Sequence, residues 1–275
     1  MTKDLEQSLE AQIAPWLEHM RWRADFAQWR EKRLRQEDYQ AEALADIQKY
    51  QGQTNAAAPV LDLGAGMGGF AVALAREGRA VSAMDYNYAY CEIARTRACR
   101  YGLNLAALVA AGEALPFPNQ AFGVLTCWDV VEHVQDPVAL LSEIARVLKP
   151  EGRAFVTVIN RFALVDPHYH LRFINWLPRP LGERYIAWRQ RTKTTPLRDR
   201  QKLGEMHYFT FGGAVRLAGR FGLTVQDLNV THSRFRRLPR PLGDALYRLW
   251  RTLGMGTFRL VLTKTPTNVP PGNRA

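Results

Sequence analysis

An α/β fold, with a doubly wound, largely parallel seven-stranded sheet and an antiparallel last strand, is predicted for this 275-residue chain by three observations. Short apolar runs alternate with helix-period stretches from residue 59 onward, the pattern of strands joined by crossover helices. Glycines crowd the turn between the first run and the first helix, where the backbone must bend sharply. Two late apolar runs, 223–230 and 257–263, read as a closing antiparallel hairpin.

The elements follow in order. Leu5, Leu9, Ile13, Trp16, Leu17 and Met20 recur at three- and four-residue spacing, so the first fifty residues read as helix. Trp22, Phe26 and Trp29 continue the pattern, and Tyr39, Ala43, Ile47 and Tyr50 close it. These tryptophans read as packing against the main domain, with a lid over an active site as the alternative. Gly52, Asn55 and an alanine run before Pro59 mark a linker over 51–58. Strands are expected at 60–63, 80–84, 105–110, 122–128 and 153–159, and helices at 67–77, 88–101, 137–148 and 213–221. Pro137 opens the third of these helices, where a missing N–H costs nothing. The organisation predicted is a helical extension over 1–58, a core domain over 59–264 and a flexible tail over 265–275. Insertions at 160–207 and 231–257 form a helical cap.

Composition is ordinary for a globular chain, 47% hydrophobic and 23% charged. Cys91, Cys99 and Cys127 are odd in number and form no CxxC, which argues for a reducing compartment rather than a disulfide framework or zinc site. The first ten residues are polar and mixed in charge, unlike a signal peptide, and no run approaches the roughly 18 apolar residues of a membrane span. A cytoplasmic protein is expected. Its formal charge of +11 attracts nucleic acid, anionic lipid or acidic substrates alike.

The strongest motif is Val-Leu-Asp-Leu-Gly-Ala-Gly-Met-Gly-Gly at 60–69. Gly64 and Gly66 let the backbone approach a ligand at the end of the first strand. Asp62 precedes the loop, where a carboxylate can hold it and meet a cationic amino group. Asp85 ends the second strand about 20 residues on, where an acid can take both hydroxyls of a ribose.

With Met-Asp-Tyr-Asn (84–87), Glu-Ala-Leu-Pro-Phe (113–117), Asp-Val-Val-Glu-His-Val (129–134) and Glu-Ile-Ala-Arg-Val-Leu-Lys-Pro-Glu-Gly (143–152), this motif resembles the class I S-adenosylmethionine-dependent methyltransferases. The likeness covers most of 59–160 and is nearest to the type 11 branch, the small-molecule enzymes of ubiquinone and menaquinone biosynthesis. It implies a Rossmann-like fold that binds S-adenosyl-L-methionine and releases S-adenosyl-L-homocysteine. Gly64, Ala65 and Gly66 would cradle the methionine part, Asp85 the ribose, and Tyr86 would flank the adenine, with Asp62 and Asp129 shaping the pocket. Two positions depart from the family pattern. Ala111 replaces the usual acid for the adenine amino group, leaving that contact to the backbone around Gly112 or to Glu113. Gly123 replaces a second common acid.

Methyl transfer is an in-line displacement that needs aligned reactants and often a base. Three clusters qualify. On a helical turn, Asp129, Glu132 and His133 share one face. His133 could be the base, or the three could ligate a divalent ion, as in relatives with a similar pattern, or the stretch could only shape the cofactor pocket; no metal is required. His168, in Asp-Pro-His-Tyr-His (166–170), sits in the loop where substrate should enter. His207, before the helix at 213–221, is read mainly as structural, with its ring facing the site as the alternative.

Both insertions interleave aromatics and leucines with arginines. Phe173, Trp176, Leu181, Tyr185 and Trp188 stand beside Arg172, Arg179, Arg184, Arg189, Arg191 and Lys193. Leu238, Leu242, Leu246, Tyr247, Leu249 and Trp250 stand beside Arg234, Arg236, Arg237, Arg240, Arg248 and Arg251. Such segments suit an anionic membrane surface or a phosphate-bearing acceptor, as well as a plain solvated cap. The expectation is O-methylation of a small or lipid-linked acceptor, phosphate-bearing, saccharide or quinone-like, by an enzyme peripheral at the inner face of the membrane. An RNA methyltransferase is less favoured, because Thr-Cys-Trp-Asp (126–129) is not the loop of base-amino enzymes. A non-catalytic scaffold is the remaining alternative.

Overall fold

The computed structural model describes residues 2–51, 57–189, 201–232 and 234–265. Most of the expected linker, Arg191, Lys193 and nearly all of the expected tail lie outside the described residues.

The N-terminal helical stretch resolves into α1 (Thr2–Leu17), α2 (Phe26–Leu34) and α3 (Ala41–Tyr50). The strands β1 (Val60–Leu63), β2 (Val81–Asp85), β3 (Ala106–Val109), β4 (Phe122–Cys127) and β5 (Leu148–Ile159) alternate with α4 (Gly69–Arg76), α5 (Tyr88–Cys99) and α6 (Pro137–Val147). After β5 come α7 (Arg179–Trp188), α8 (Phe211–Gly219), β6 (Leu223–Asp227), α9 (Asn229–His232), α10 (Arg240–Leu253) and β7 (Thr257–Lys264). One seven-stranded sheet results, in the order β3-β2-β1-β4-β5-β7-β6. Its first five strands are parallel, and β7 runs antiparallel to both β5 and β6. The strand order reverses between β1 and β4, which opens a crevice at their carboxyl ends.

Alternation along β1 divides the core. Leu61 and Leu63 pack with Leu125, Val156 and the α6 residues Leu140 and Ile144. Val60 packs on the other face with Val124, Phe155 and Val261, under Ile47 and Tyr50 of α3 and Phe70 and Leu74 of α4. Asp62, two residues from Val60, lies on that second face. The N-terminal helices are part of the packing: Leu9, Ile13 and Leu17 of α1 bury against Ile93 of α5. Glu37 and Arg97, both side chains 0% exposed, pair beneath them. The cap forms its own small core, in which Ile174 and Ile186 meet Leu203, Met206 and Tyr208.

Most element ends shift by one or two residues from the sequence reading, and four boundaries have a visible physical cause. The first crossover helix starts at Gly69 rather than 67, because Gly68 takes φ 77°, outside the helical region. β5 starts at Leu148 and passes through a register shift in which Glu151 has φ 60°. α8 starts at Phe211, capped by Thr210 Oγ1 accepting from Gly213 N at 3.0 Å. β6 stops at Asp227, whose carboxylate accepts the N–H of Asn229 at 3.0 Å and turns the chain into α9.

Candidate functional site

The glycine loop is built by positive φ: 72° at Gly64, 53° at Gly66 and 77° at Gly68. A Cβ on Gly64 would meet Val130 Cγ2 at 2.2 Å, and one on Gly68 would meet Ala94 Cβ at 2.4 Å, so both are glycine for close packing as well. Gly66 differs, having nothing within 4 Å of its missing Cβ, so it faces open space. The main chain of Gly64 and Ala65 donates to Met84 O at 2.7 and 2.9 Å. Asp85 completes the brace, its carboxylate accepting from Gly66 N at 2.8 Å and Asn87 N at 2.9 Å. Burial raises the Asp85 pKa against these hydrogen bonds.

The loop opens into a cavity of about 440 Å3, within the size range of small-ligand sites. Its floor is Asp62, Gly64, Ala65, Gly66, Trp128 and Asp129; its roof is Trp16, Trp29 and Arg33 from the N-terminal helices, and Arg259 of β7 adds a second cation. Asp62 is 2% exposed. Its Oδ1 accepts from Thr126 Oγ1 at 2.7 Å, while among the described residues its Oδ2 is buried without a hydrogen-bond partner, as is Trp128 Nε1. Burial pushes the Asp62 carboxyl up to about 6, with the Thr126 hydrogen bond opposing. Arg33 is exposed as a residue, yet desolvation of its guanidinium pulls its pKa down, opposed by the charge of Asp129. An acid with a free oxygen and a guanidinium, lining one cavity, complement a zwitterionic ligand. The places of Arg33 and Trp128 in this lining were missed in the sequence. Arg33 follows Trp29 by one helical turn, so a lid reading of that tryptophan carries the arginine with it.

The other expected cofactor residues, Asp85 among them, lie outside this cavity's lining. Tyr86 is 67% exposed at the end of β2. Gly112 leaves no room for a side chain, since a Cβ would stand 2.8 Å from Leu140 Cδ1. Glu113 Oε1 is used by the N–H groups of Gln135 at 2.7 Å and Asp136 at 3.4 Å, which hold the start of α6.

The helical turn expected at 129–133 is replaced by a tighter turn. Asp129 takes φ 55°, and His133 N donates to Val130 O at 2.8 Å, so Asp129 does not share a helical face with Glu132 and His133. Its carboxylate instead accepts from Thr157 Oγ1 at 3.0 Å. The groups brought together are Glu132, His133 and His168, with candidate ligand atoms within 4.8 Å of one another. Glu132 is 1% exposed, and its Oε1 stands 3.3 Å from His168 Nε2 and 3.8 Å from His133 Nε2. The two imidazoles meet edge to face at 4.9 Å, and His168 stacks on Tyr208 at 6.4 Å. Buried Asp166 fixes this loop, accepting from the main chain of His168 and Tyr169, from Asn175 and from the Tyr208 hydroxyl. His207 contributes its main chain, donating to Glu132 O at 3.1 Å, and its ring is not among the clustered groups.

The family described as "Methyltransferase domain" matches residues 61–156. The chain is 32% identical over 163 residues to the ubiquinone biosynthesis O-methyltransferase of Serratia proteamaculans, covering 54% of this chain and 65% of that one. It is 32% identical over 173 residues to the enzyme of the same name from Xylella fastidiosa, covering 52% and 70%. It thus spans about two thirds of the length of these curated relatives. A S-adenosylmethionine-dependent methyltransferase from Methanosarcina mazei shares the fold, with a TM-score of 0.53 at 20% identity over 80% of this chain and 96% of that one.

Proposed function

The chain belongs to the class I S-adenosylmethionine-dependent methyltransferases, and from that premise we propose that it methylates a hydroxyl oxygen of a small or lipid-linked, quinone-like acceptor. The observation that carries the reading is the buried Oδ2 of Asp62, without a hydrogen-bond partner among the described residues, in a glycine-loop cavity that Arg33 also lines. Asp62 receives the ammonium of the cofactor's methionine part and Arg33 its carboxylate, while the open face of Gly66 admits the chain between them. Asp85 accepts from the ribose hydroxyls with lone pairs left over from its two backbone contacts. The bound cofactor supplies an electrophilic methyl carbon on a sulfonium, and S-adenosyl-L-homocysteine is the product that leaves. His168 takes the acceptor's hydroxyl proton, and buried Glu132 stabilises the imidazolium that forms. His133 and Tyr208 hold the ring of His168 in place.

The quinone-like acceptor is supported by the relatives' substrates, and peripheral contact with the inner face of a membrane is part of the same reading. Among the described residues no helix is long and apolar enough to cross a bilayer. The test is calorimetry with S-adenosylmethionine and S-adenosylhomocysteine on the wild type and Asp85→Ala. Micromolar binding that weakens about tenfold or more, at least about 1.4 kcal/mol, supports the cofactor site. A folded protein that binds neither compound is a scaffold instead. Loss of turnover on chelation would replace His168 as base with a divalent ion held by Glu132, His133 and His168.

A further inference from the structure

Helix α10 is inverted. Leu242, Leu246, Leu249, Trp250 and Leu253 recur at i, i+4, i+7, i+8 and i+11, the apolar stripe that a helix normally turns to its core. Here the stripe faces outward: Leu242 is 51% exposed, Leu249 56% and Leu253 40%. The face that packs is Gly243, Tyr247 and Arg251. A Cβ on Gly243 would meet Phe235 O at 2.6 Å, the Tyr247 hydroxyl donates to Asp227 at 2.7 Å, and Arg251 pairs with Asp227 at 3.3 Å. The fold therefore fixes α10 by its polar side and leaves the leucines to something else.

The charge around the stripe identifies what. Arg237, Arg240 and Arg248 are exposed, and among the described residues none of the three is in an ion pair. Asp244 is the only acid on the helix. An apolar face bordered by unpaired guanidiniums matches the boundary between acyl chains and anionic headgroups. The position of α10 matters as well. Asn160, the first residue after β5, donates its side-chain amide to the carbonyls of Arg251, Thr252 and Met255 at 3.1, 3.2 and 2.8 Å. That contact ties the end of α10 to the insertion that carries His168. Exposed apolar residues recur in that insertion at Phe162, Val165, Phe173 and Trp176, and Trp176 Nε1 donates to Phe162 O at 3.0 Å.

We propose that the outward leucine face of α10 docks the protein on an anionic lipid bilayer and so brings the mouth of the acceptor site to the membrane surface. The inference rests on the lipid-linked acceptor of the proposed function and locates where such an acceptor is collected. The full chain should co-sediment with vesicles of phosphatidylcholine and phosphatidylglycerol at about 3:1 and at least about tenfold less with phosphatidylcholine alone. Leu242→Ser with Leu249→Ser should weaken binding to the mixed vesicles about tenfold or more, and Arg240→Gln with Arg248→Gln should weaken it and flatten its salt dependence. Calorimetry with S-adenosylmethionine runs on every variant. Unchanged cofactor binding certifies the fold and separates this inference from the methyltransferase reading. Wild-type protein that binds cofactor but ignores anionic vesicles overturns the docking proposal alone. So does a concentration-dependent dimer that the leucine variant dissolves, which would make the face a contact between copies.

Discussion

Glu37 is the residue whose loss should cost this fold most visibly. Its carboxylate is 3% exposed at the residue level and receives Arg97, itself 0% exposed, together with Arg100 Nη2 at 2.8 Å and the Tyr101 hydroxyl at 2.9 Å. Arg97 also donates to the carbonyls of Leu34 and Met67, so the pair ties the N-terminal helices to the glycine loop. Burial already pushes the Arg97 guanidinium below its ordinary value, and Glu37 is the charge that opposes it. Glu37→Ala leaves a buried cation unpaired, a change that costs about 3–5 kcal/mol against a total stability of about 5–15 kcal/mol. With a urea slope of about 2–3 kcal/mol per molar, the unfolding midpoint should fall by roughly 1–2.5 M. The double variant Glu37→Met with Arg97→Met removes both charges and should lose less than the sum of the two single variants, by more than about 1 kcal/mol. A Glu37→Ala protein whose midpoint stays within about 0.3 M of wild type would refute the reasoning, since the ion pair would then carry no net stability.

Other outcomes are expected. Asp62, raised to about 6 by burial, holds a proton in the folded cofactor-free protein at pH values where the unfolded chain has released it. Stability of the free protein should therefore decline, by an order of magnitude of ~3 kcal/mol, as pH rises from about 4 through about 6. On the proposed site the cofactor's ammonium pairs with the ionised form, so affinity should rise nearly tenfold per unit up to about pH 6 and then level off; Asp62→Asn should shrink both trends, seen by thermal melts and calorimetry, leaving the part due to Asp85 and Asp129, whose carboxyls burial also raises. Gly68→Ala places a Cβ 2.7 Å from Ala94 Cα at φ 77° and should destabilise the fold by more than about 2 kcal/mol in denaturant titration. His168→Gln should lower kcat about 10²–10⁴-fold while leaving the calorimetric Kd for S-adenosylmethionine unchanged; an unchanged kcat would remove His168 from the chemistry.

The sequence alone determined the sheet, the glycine loop and the acids beside it, because each is a local pattern. Alternating apolar runs fix strands, positive-φ turns demand glycine, and Asp62 and Asp85 lie at fixed offsets from that turn. Tertiary structure decided what depends on distant residues meeting. The helical face expected for Asp129, Glu132 and His133 gave way because Thr157, on β5, holds Asp129 in a left-handed turn. His168 then joins Glu132 from a loop thirty-six residues away, placed there by the buried Asp166 hub rather than by its own neighbours. Arg33 reaches the glycine-loop cavity only because α1 and α2 pack onto α5 and the glycine loop. The periodicity of α10 announces an amphipathic helix, yet which side it buries was settled by the Tyr247 and Arg251 contacts with Asp227, since the sequence sets which face of a helix is apolar but not which face meets the sheet.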